Sequence, residues 1–278
     1  MRVIASSQEM ARICREVPRP LGLVPTMGAL HRGHQALVQR ARQDNRTMAV
    51  SIFVNPSQFG PQEDLTQYPR TLDQDLDLLR GEGADLVFMP AVEEMYPPGF
   101  DTWVDVGRLA TRLEGEQRPG HFRGVATVVA KLFHLVRPDR AYFGQKDGQQ
   151  ALVIRQLVRD LDLGLEVVVV PTVREPDGLA LSSRNLYLTP QQRQAAPVVY
   201  RALCRAQELR RRGEVGAEQL RREVRSVLAS EPLVEAIDYV SVADAETLEE
   251  LDTVGGRAMV SVAIRLGKLR LIDNIILE

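Results

Sequence analysis

Leu23-Val24-Pro25-Thr26-Met27-Gly28-Ala29-Leu30-His31-Arg32-Gly33-His34 is an apolar run that breaks at glycine and resumes as a helical pattern. Residues 21–25 read as a short buried strand. Residues 33–44, apolar at Ala36, Leu37, Val38 and Ala41, read as a helix, and residues 47–54 as a second strand. The three form a βαβ unit, which crosses over right-handed and makes a parallel sheet.

The alternation continues outward from that unit. A helix over 72–81 leads to a strand over 85–89, and a helix over 125–136 leads to a strand over 140–143. A helix over 148–161 precedes the apolar run 165–170, which predicts a strand buried on both faces. The expected fold is therefore α/β, with a doubly wound, Rossmann-like parallel sheet over 1–184 and ligands beyond the carboxyl ends of its strands. After Asn185 the pattern changes to helices over 190–212 and 217–230, then apolar runs over 237–242, 258–264 and 269–277. Helices followed by strands predict a smaller α+β domain over 185–278.

Composition narrows the function classes. The 278 residues are 44% hydrophobic, enough for a sizeable core, and the formal charge of -2 offers nothing to nucleic acid or an anionic membrane. Arginines at 201–225 alternate with Glu208, Glu214, Glu218 and Glu223, as on a solvated helix face. The first ten residues lack the apolar stretch of a signal peptide, and no apolar run approaches the roughly 20 residues that span a bilayer. Cys14 and Cys204, far apart, form no disulfide framework, so a cytoplasmic location is expected.

Two of the chain's 4 histidines, His31 and His34, stand where the first helix begins. They could be ordinary helix residues or, three positions apart, a zinc pair. Zinc needs a third ligand, and His121, His134, Cys14 and Cys204 are not spaced to provide it. At a helix start, free backbone N–H groups and the positive dipole end favour an anion, and Gly28 and Gly33 permit its close approach. The pattern points to a nucleotide polyphosphate.

Other strand ends carry matching chemistry. Lysine occurs only at Lys131, Lys146 and Lys268 among 35 basic residues, so a lysine hints that a compact ammonium is needed. Lys146 lies in the turn after a strand, where it could reach phosphate; Asp147 could cap the next helix, accept a ribose hydroxyl, or both. In Arg174–Asn185, Pro-Asp-Gly marks a turn, and Ser182, Ser183 and Arg184 offer hydroxyls and a guanidinium for phosphate. Gln58 and Gln150 are neutral amides able to orient a small polar acid. No nucleophile motif is present, which favours attack by a bound substrate on a nucleotide phosphorus, with the protein supplying position and charge.

The segments PTMGALHRGH, VNPSQFGPQEDL, YPRTLDQDL, RPGHFRGVATVVAKLFHLVRPDRAYFGQKDGQQ and VREPDGLALSSRN together resemble the pantothenate synthetase (pantoate–β-alanine ligase) family, within the His-x-Gly-His nucleotidyltransferases. The resemblance implies that pantoate attacks the α-phosphorus of ATP to give pantoyl adenylate, which β-alanine then converts to pantothenate and AMP. It implies ATP contacts at Met27, Gly28, Ala29, Leu30, His31, Arg32, Gly33 and His34, with His34 as proton donor. It extends them to Gly144, Gln145, Lys146, Asp147, Val173, Leu181, Ser182, Ser183 and Arg184. His31, His34 and Lys146 are the catalytic candidates. Gln58 and Gln150 would hold pantoate, Gln58 bordering the β-alanine position, with Asn55 and His121 near the reacting groups.

The same resemblance implies Mg2+ arriving with ATP, no assigned protein ligands for it, and a homodimer. Asp73-Gln74-Asp75 interrupts with glutamine an aspartate run of some relatives. Ser57 stands where a larger apolar residue is common, which implies a looser acid pocket. Two other functions fit parts of the pattern. Nucleotidyl transfer to a phosphorylated acceptor would require further basic residues in the crevice, and a nucleotide sensor would have no need of leaving-group stabilisers.

Overall fold

The computed structural model describes residues 1–61 and 63–278. The chain divides into one compact unit of Met1–Gln145 with Gln149–Pro171, and a second of Lys146–Gly148 with Thr172–Glu278.

The first unit is built on a six-stranded sheet in the order β1-β4-β3-β2-β5-β6. Its strands are β1 (Arg2–Ile4), β2 (Leu21–Thr26), β3 (Thr47–Ile52), β4 (Leu86–Phe88), β5 (Arg140–Gly144) and β6 (Glu166–Val170), paired in parallel throughout. From β2 the chain steps outward to β3 and β4, and β5 and β6 then extend the other side. Strand order thus reverses between β2 and β5, the position where parallel α/β sheets open a crevice beyond their carboxyl ends.

Helices α1 (Ser7–Glu16), α2 (Arg32–Asp44), α3 (Leu72–Gly81), α6 (His121–Val136) and α7 (Gly148–Asp160) accompany the sheet, with one-turn helices α4 (Val92–Met95) and α5 (Glu114–Gln117) between them. The apolar stripe of α2, Leu37, Val38 and Ala41, joins Leu79 of α3 against Val24, Met48, Val50 and Val87 of the sheet. Each such large side chain withdrawn from water contributes about 1.5–3 kcal/mol. α6 is buried along most of its length and packs against α1.

Some expectations require correction. The apolar run predicted to be a strand buried on both faces is β6, and only Val170 in it is buried. It is the sheet's edge and pairs with β5 alone, so half of its surroundings are missing. β1 and α1 escape the sequence reading because three residues are too few for an alternation and α1 is only ten residues long. The helix expected over 190–212 is broken into α8 (Pro190–Ala195) and α9 (Val198–Arg211) at Pro197, which lacks the N–H to continue the ladder.

In the second unit α9 and α10 (Ala217–Ala229) pack on an antiparallel sheet of β7 (Ala236–Asp244), β8 (Ala258–Leu266) and β9 (Leu269–Leu277). The arginine-rich helices pair internally, as Arg205 with Glu223 and Arg212 with Glu208. Packing sets the division at Pro171/Thr172 rather than 184/185: Leu179 belongs to the second unit's core, and Arg174 is paired with Asp273 of β9.

Candidate active site

The turn after β2 is held by buried side chains. Thr26 donates its hydroxyl to the carbonyl of Ser51 at 2.7 Å and accepts the N–H of Gly28 at 3.2 Å. Gly28 has φ +81°, and a Cβ there would lie 3.0 Å from Oδ2 of Asp75. That carboxylate, 2% exposed, comes from α3. Its Oδ2 accepts the N–H of Ala29 and its Oδ1 that of Leu30, both at 2.8 Å, and Thr71 donates to Oδ1 at 3.0 Å. The amides of Ala29 and Leu30 therefore hold the turn together. Asp75 is not legible as part of this site in the sequence, because its partners lie 45 and 46 residues away.

α2 starts in an unusual way. His31 is its N-cap, and its Nδ1 accepts the N–H of Gly33 at 3.1 Å. Nδ1 of His34 reaches back to the N–H of His31 at 3.3 Å, so the pair forms a capping box made of imidazoles. Both Nδ1 atoms accept a main-chain N–H, which leaves Nε2 as the nitrogen of each ring that can donate. The rings sit 4.1 Å apart between centroids. The first turn of α2 contains no acid, while Arg32 and the histidines crowd its positive end. Such an arrangement is unfavourable for the helix alone and favourable with an anion in front of it.

The 3-10 turn Pro56–Gln58 follows β3 and is organised around Asn55, 1% exposed. Its Oδ1 receives the hydroxyls of Ser57 and Tyr96, each at 2.8 Å, and its Nδ2 donates to the carbonyl of Gly124 at 3.2 Å and to Oε1 of Gln58 at 3.0 Å. Nε2 of Gln58 donates to Sδ of Met27 at 3.3 Å, which joins this loop to the histidine turn. Gly124 of α6 allows the contact: a Cβ there would lie 2.3 Å from the carbonyl oxygen of Ser57. Asn55 is thus engaged within the protein on both sides of its amide.

His121 is committed in the same way. Its Nδ1 lies 2.9 Å from the carbonyl of Gln58 and its Nε2 3.1 Å from Arg118, whose guanidinium pairs with Glu63 at 2.6 and 2.7 Å. Burial, with help from the Arg118 charge, pushes His121 down to about 4. The ring is neutral and pins the main chain of Gln58. Gln150 is the third residue of α7 and half-buried; its neighbour Gln149, buried, donates to the carbonyls of Leu109 and Arg112.

In the second unit Lys146 sits in a 3-10 turn, its ammonium 3.3 Å from Asp147. Asn274 of β9 donates to the Lys146 carbonyl at 2.9 Å. The 172–184 segment is a tight hairpin: Arg174 bridges to Ala180, Gly178 takes φ +93°, and the N–H of Leu181 reaches the carbonyl of Val173 at 3.0 Å. Arg174 anchors it by pairing with Asp273 at 2.5 and 3.1 Å while lying 4.0 Å over the Tyr200 ring. Ser182 then caps the 3-10 turn Ser183–Tyr187, accepting the N–H of Arg184. Adjacent residues of β9 therefore anchor both the Lys146 turn and the Ser-Ser-Arg hairpin. Of the other lysines, Lys131 lies over the Phe100 ring and Lys268 in the β8–β9 hairpin turn.

The geometry matches a known family along its length. A sequence model of the family described as pantoate-beta-alanine ligase matches residues 1–276. The pantothenate synthetase of Roseiflexus sp. (strain RS-1) is 58% identical over 278 residues, all of both chains. That of Chloroflexus aurantiacus (strain ATCC 29366 / DSM 635 / J-10-fl) is 61% identical over 259 residues, covering 93% of this chain and 92% of its own. A crystal structure of pantothenate synthetase from Thermus thermophilus superposes with a TM-score of 0.94 at 51% identity, over 99% of each chain. The pantoate-beta-alanine ligase of Francisella tularensis, solved with beta-gamma ATP and beta-alanine, gives 0.81 at 34% identity, covering 99% of this chain and 97% of its own. With an acid-free, imidazole-capped helix start at the end of β2 and an amide-organised turn after β3, the chain belongs to the pantoate-beta-alanine ligase family.

Proposed function

We propose that the protein condenses pantoate with β-alanine, using ATP, to give pantothenate, AMP and pyrophosphate. In the first step a pantoate carboxylate oxygen attacks the α-phosphorus, the bond from that phosphorus to the bridging oxygen breaks, and pyrophosphate leaves. In the second the β-alanine nitrogen attacks the acyl carbon of the adenylate, AMP departs, and the nitrogen gives up a proton.

The observation that carries this is the full-length family match combined with a helix start capped by both His31 and His34 through their Nδ1 atoms. Fixed donors aimed where charge develops on the leaving pyrophosphate act mainly in the transition state, which is where they raise the rate. His34 is assigned as proton donor, with His31 and Lys146 as charge stabilisers. ATP is assigned to 27–34, 144–147, Val173 and 181–184, with Ala29 and Leu30 contributing through atoms other than their occupied amides. Pantoate is assigned to Gln58 and Gln150, with Asn55 and His121 shaping that pocket from behind.

Mg2+ would enter with the nucleotide, as ATP is commonly bound as its magnesium complex. Among the described residues no cluster of His, Cys, Asp and Glu forms a metal cage, and the Asp75 carboxylate is spent on the turn. When bound, the ion would neutralise phosphate charge. A cytoplasmic homodimer completes the proposal; the free cysteines and the lack of any described helix able to cross a membrane support the location.

The test is to incubate the protein with MgATP and pantoate, with and without β-alanine. Pyrophosphate and an adenylate are expected without the amine, and AMP with pantothenate once it is added. Binding of ATP without pyrophosphate release would refute the enzyme.

A further inference from the structure

The orientation of a glutamine amide decides whether a pocket offers a donor or an acceptor, and here it is determined by groups whose roles admit no choice. The Gly124 carbonyl can only accept, so the Asn55 atom 3.2 Å from it is Nδ2. The opposite side of the Asn55 amide faces the N–H of Ser57 at 3.4 Å, a group that can only donate, and is therefore Oδ1. With Asn55 oriented, the Gln58 atom 3.0 Å from Nδ2 must be Oε1, which leaves Nε2 on the side of Met27. Gln58 accordingly presents N–H.

Tyr96 completes this arrangement from outside the motifs that mark the family. It terminates α4, its main-chain N–H on the carbonyl of Val92, and its ring is packed by Phe53, Phe100 and Trp103 at centroid distances of 6.3, 5.1 and 6.4 Å. Its hydroxyl donates to Oδ1 of Asn55 at 2.8 Å and lies 2.9 Å from Oγ of Ser57. Burial raises the phenol above its ordinary range, so it stays neutral and keeps its proton for donation. Ser57 supplies a second hydroxyl to the same oxygen.

We infer that Tyr96, with Ser57, is a positioning residue for the acid substrate: its hydroxyl locks the Asn55 amide, which turns Gln58 so that N–H and not carbonyl faces the acid. The substrate class follows from the same chemistry. A carboxylate or hydroxyl oxygen able to accept is selected, and an analogue bearing an amide N–H in its place sets a donor against the N–H of Gln58. This rests on the assignment of Gln58 to pantoate in the proposed function.

The full-length enzyme tests it in two arms. In pyrophosphate-release kinetics, Tyr96→Phe should raise KM for pantoate roughly fivefold to tenfold, the worth of one buried hydrogen bond, and leave KM for ATP unchanged. In a Gln58→Ala background the same substitution should add nothing, because the effect passes through Gln58. An additive effect, or one shared equally by ATP, overturns the proposal. In the second arm, side-chain amide resonances of Asn55 and Gln58 are followed in the free protein. Tyr96→Phe should shift and broaden both, and unchanged resonances overturn the proposal even if pantoate proves not to be the substrate. A wild-type protein inert toward pantoate, with the resonance change present, would sink the substrate assignment and leave Tyr96 as a group that helps hold Asn55 and Gln58 in place.

Discussion

The carboxylate of Asp75 accepts the backbone N–H of Ala29 at 2.8 Å, from 46 residues along the chain, and so connects α3 to the turn that carries both histidines. A second bond to Leu30 makes the grip two-pronged. Only an acceptor at both oxygens can serve two amides at once. Asp75→Asn keeps the shape but turns an NH2 toward one of them. It should cost about 2–3 kcal/mol in denaturant unfolding, the loss of a charged hydrogen bond with a buried donor left unpaired. ATP affinity should fall by about tenfold or more, measured by titration.

Gly124 marks a second close approach. A methyl there would lie 2.5 Å from the Ser57 carbonyl carbon and 2.7 Å from Cα of Gln58, both main-chain atoms that cannot yield separately. Gly124→Ala should destabilise by about 1–3 kcal/mol through overpacking. Adenylate formation should drop by more than tenfold, since the loop presenting Gln58 must move. Gly81, the last residue of α3, has nothing within 4 Å of such a methyl, and Gly81→Ala should be neutral or stabilising by up to about 1 kcal/mol. Equal Tm losses for the two variants would contradict this account.

His121 makes acid stability diagnostic. Burial lowers it to about 4, so below pH 6.5 the unfolded chain takes up a proton that the folded protein refuses. Stability is whole above pH 6.5 and falls as pH drops from there toward 4, by on the order of 2–3 kcal/mol. Arg118 and Glu63 face the ring, and Glu63 is itself held below its ordinary range by the hydrogen bonds and charge of Arg118, against its burial. His121→Gln cannot titrate, so its unfolding free energy should be flatter over this window. Parallel curves for the two proteins would show that His121 is not the titrating group.

On the second unit, Asn274→Ala should remove the bond to the Lys146 carbonyl while leaving β9 paired. The expected result is a several-fold rise in KM for ATP with a loss of about 1 kcal/mol in stability. Asp273→Ala is a harsher change, because it strands the Arg174 guanidinium. Breaking a buried pair from one side costs about 3–5 kcal/mol, and a urea titration distinguishes the two variants.

Much of the site is legible in the sequence because it is local. The end of β2, the glycine and the histidines at the start of α2 are consecutive, and periodicity with helix-end electrostatics reads them directly. Gln58, Lys146 and the 182–184 segment are found in the same way, as polar residues just beyond strands or in turns. The lysine bias singles out Lys146 as a candidate, in a 3-10 turn after β5, while Lys131 lies over the Phe100 ring and Lys268 in the β8–β9 turn. Asn55 and His121 are candidates by family resemblance, and spacing cannot show that both spend their polar atoms on the protein.

What the amino-acid order determined by itself was the alternation of strands and helices, the anion-favouring helix start and the inventory of groups for phosphate and a small acid. Those depend on propensity and spacing over a few residues. Tertiary structure alone decided which partner satisfies each buried polar group: Asp75 for the amides of 29 and 30, Gly124 and Tyr96 for Asn55, Asn274 for Lys146. A buried N–H or carbonyl must be paired, but the chain does not state with what. That choice is made when sheet order brings distant residues within about 3 Å, and it is the choice that orients the amides of Asn55 and Gln58.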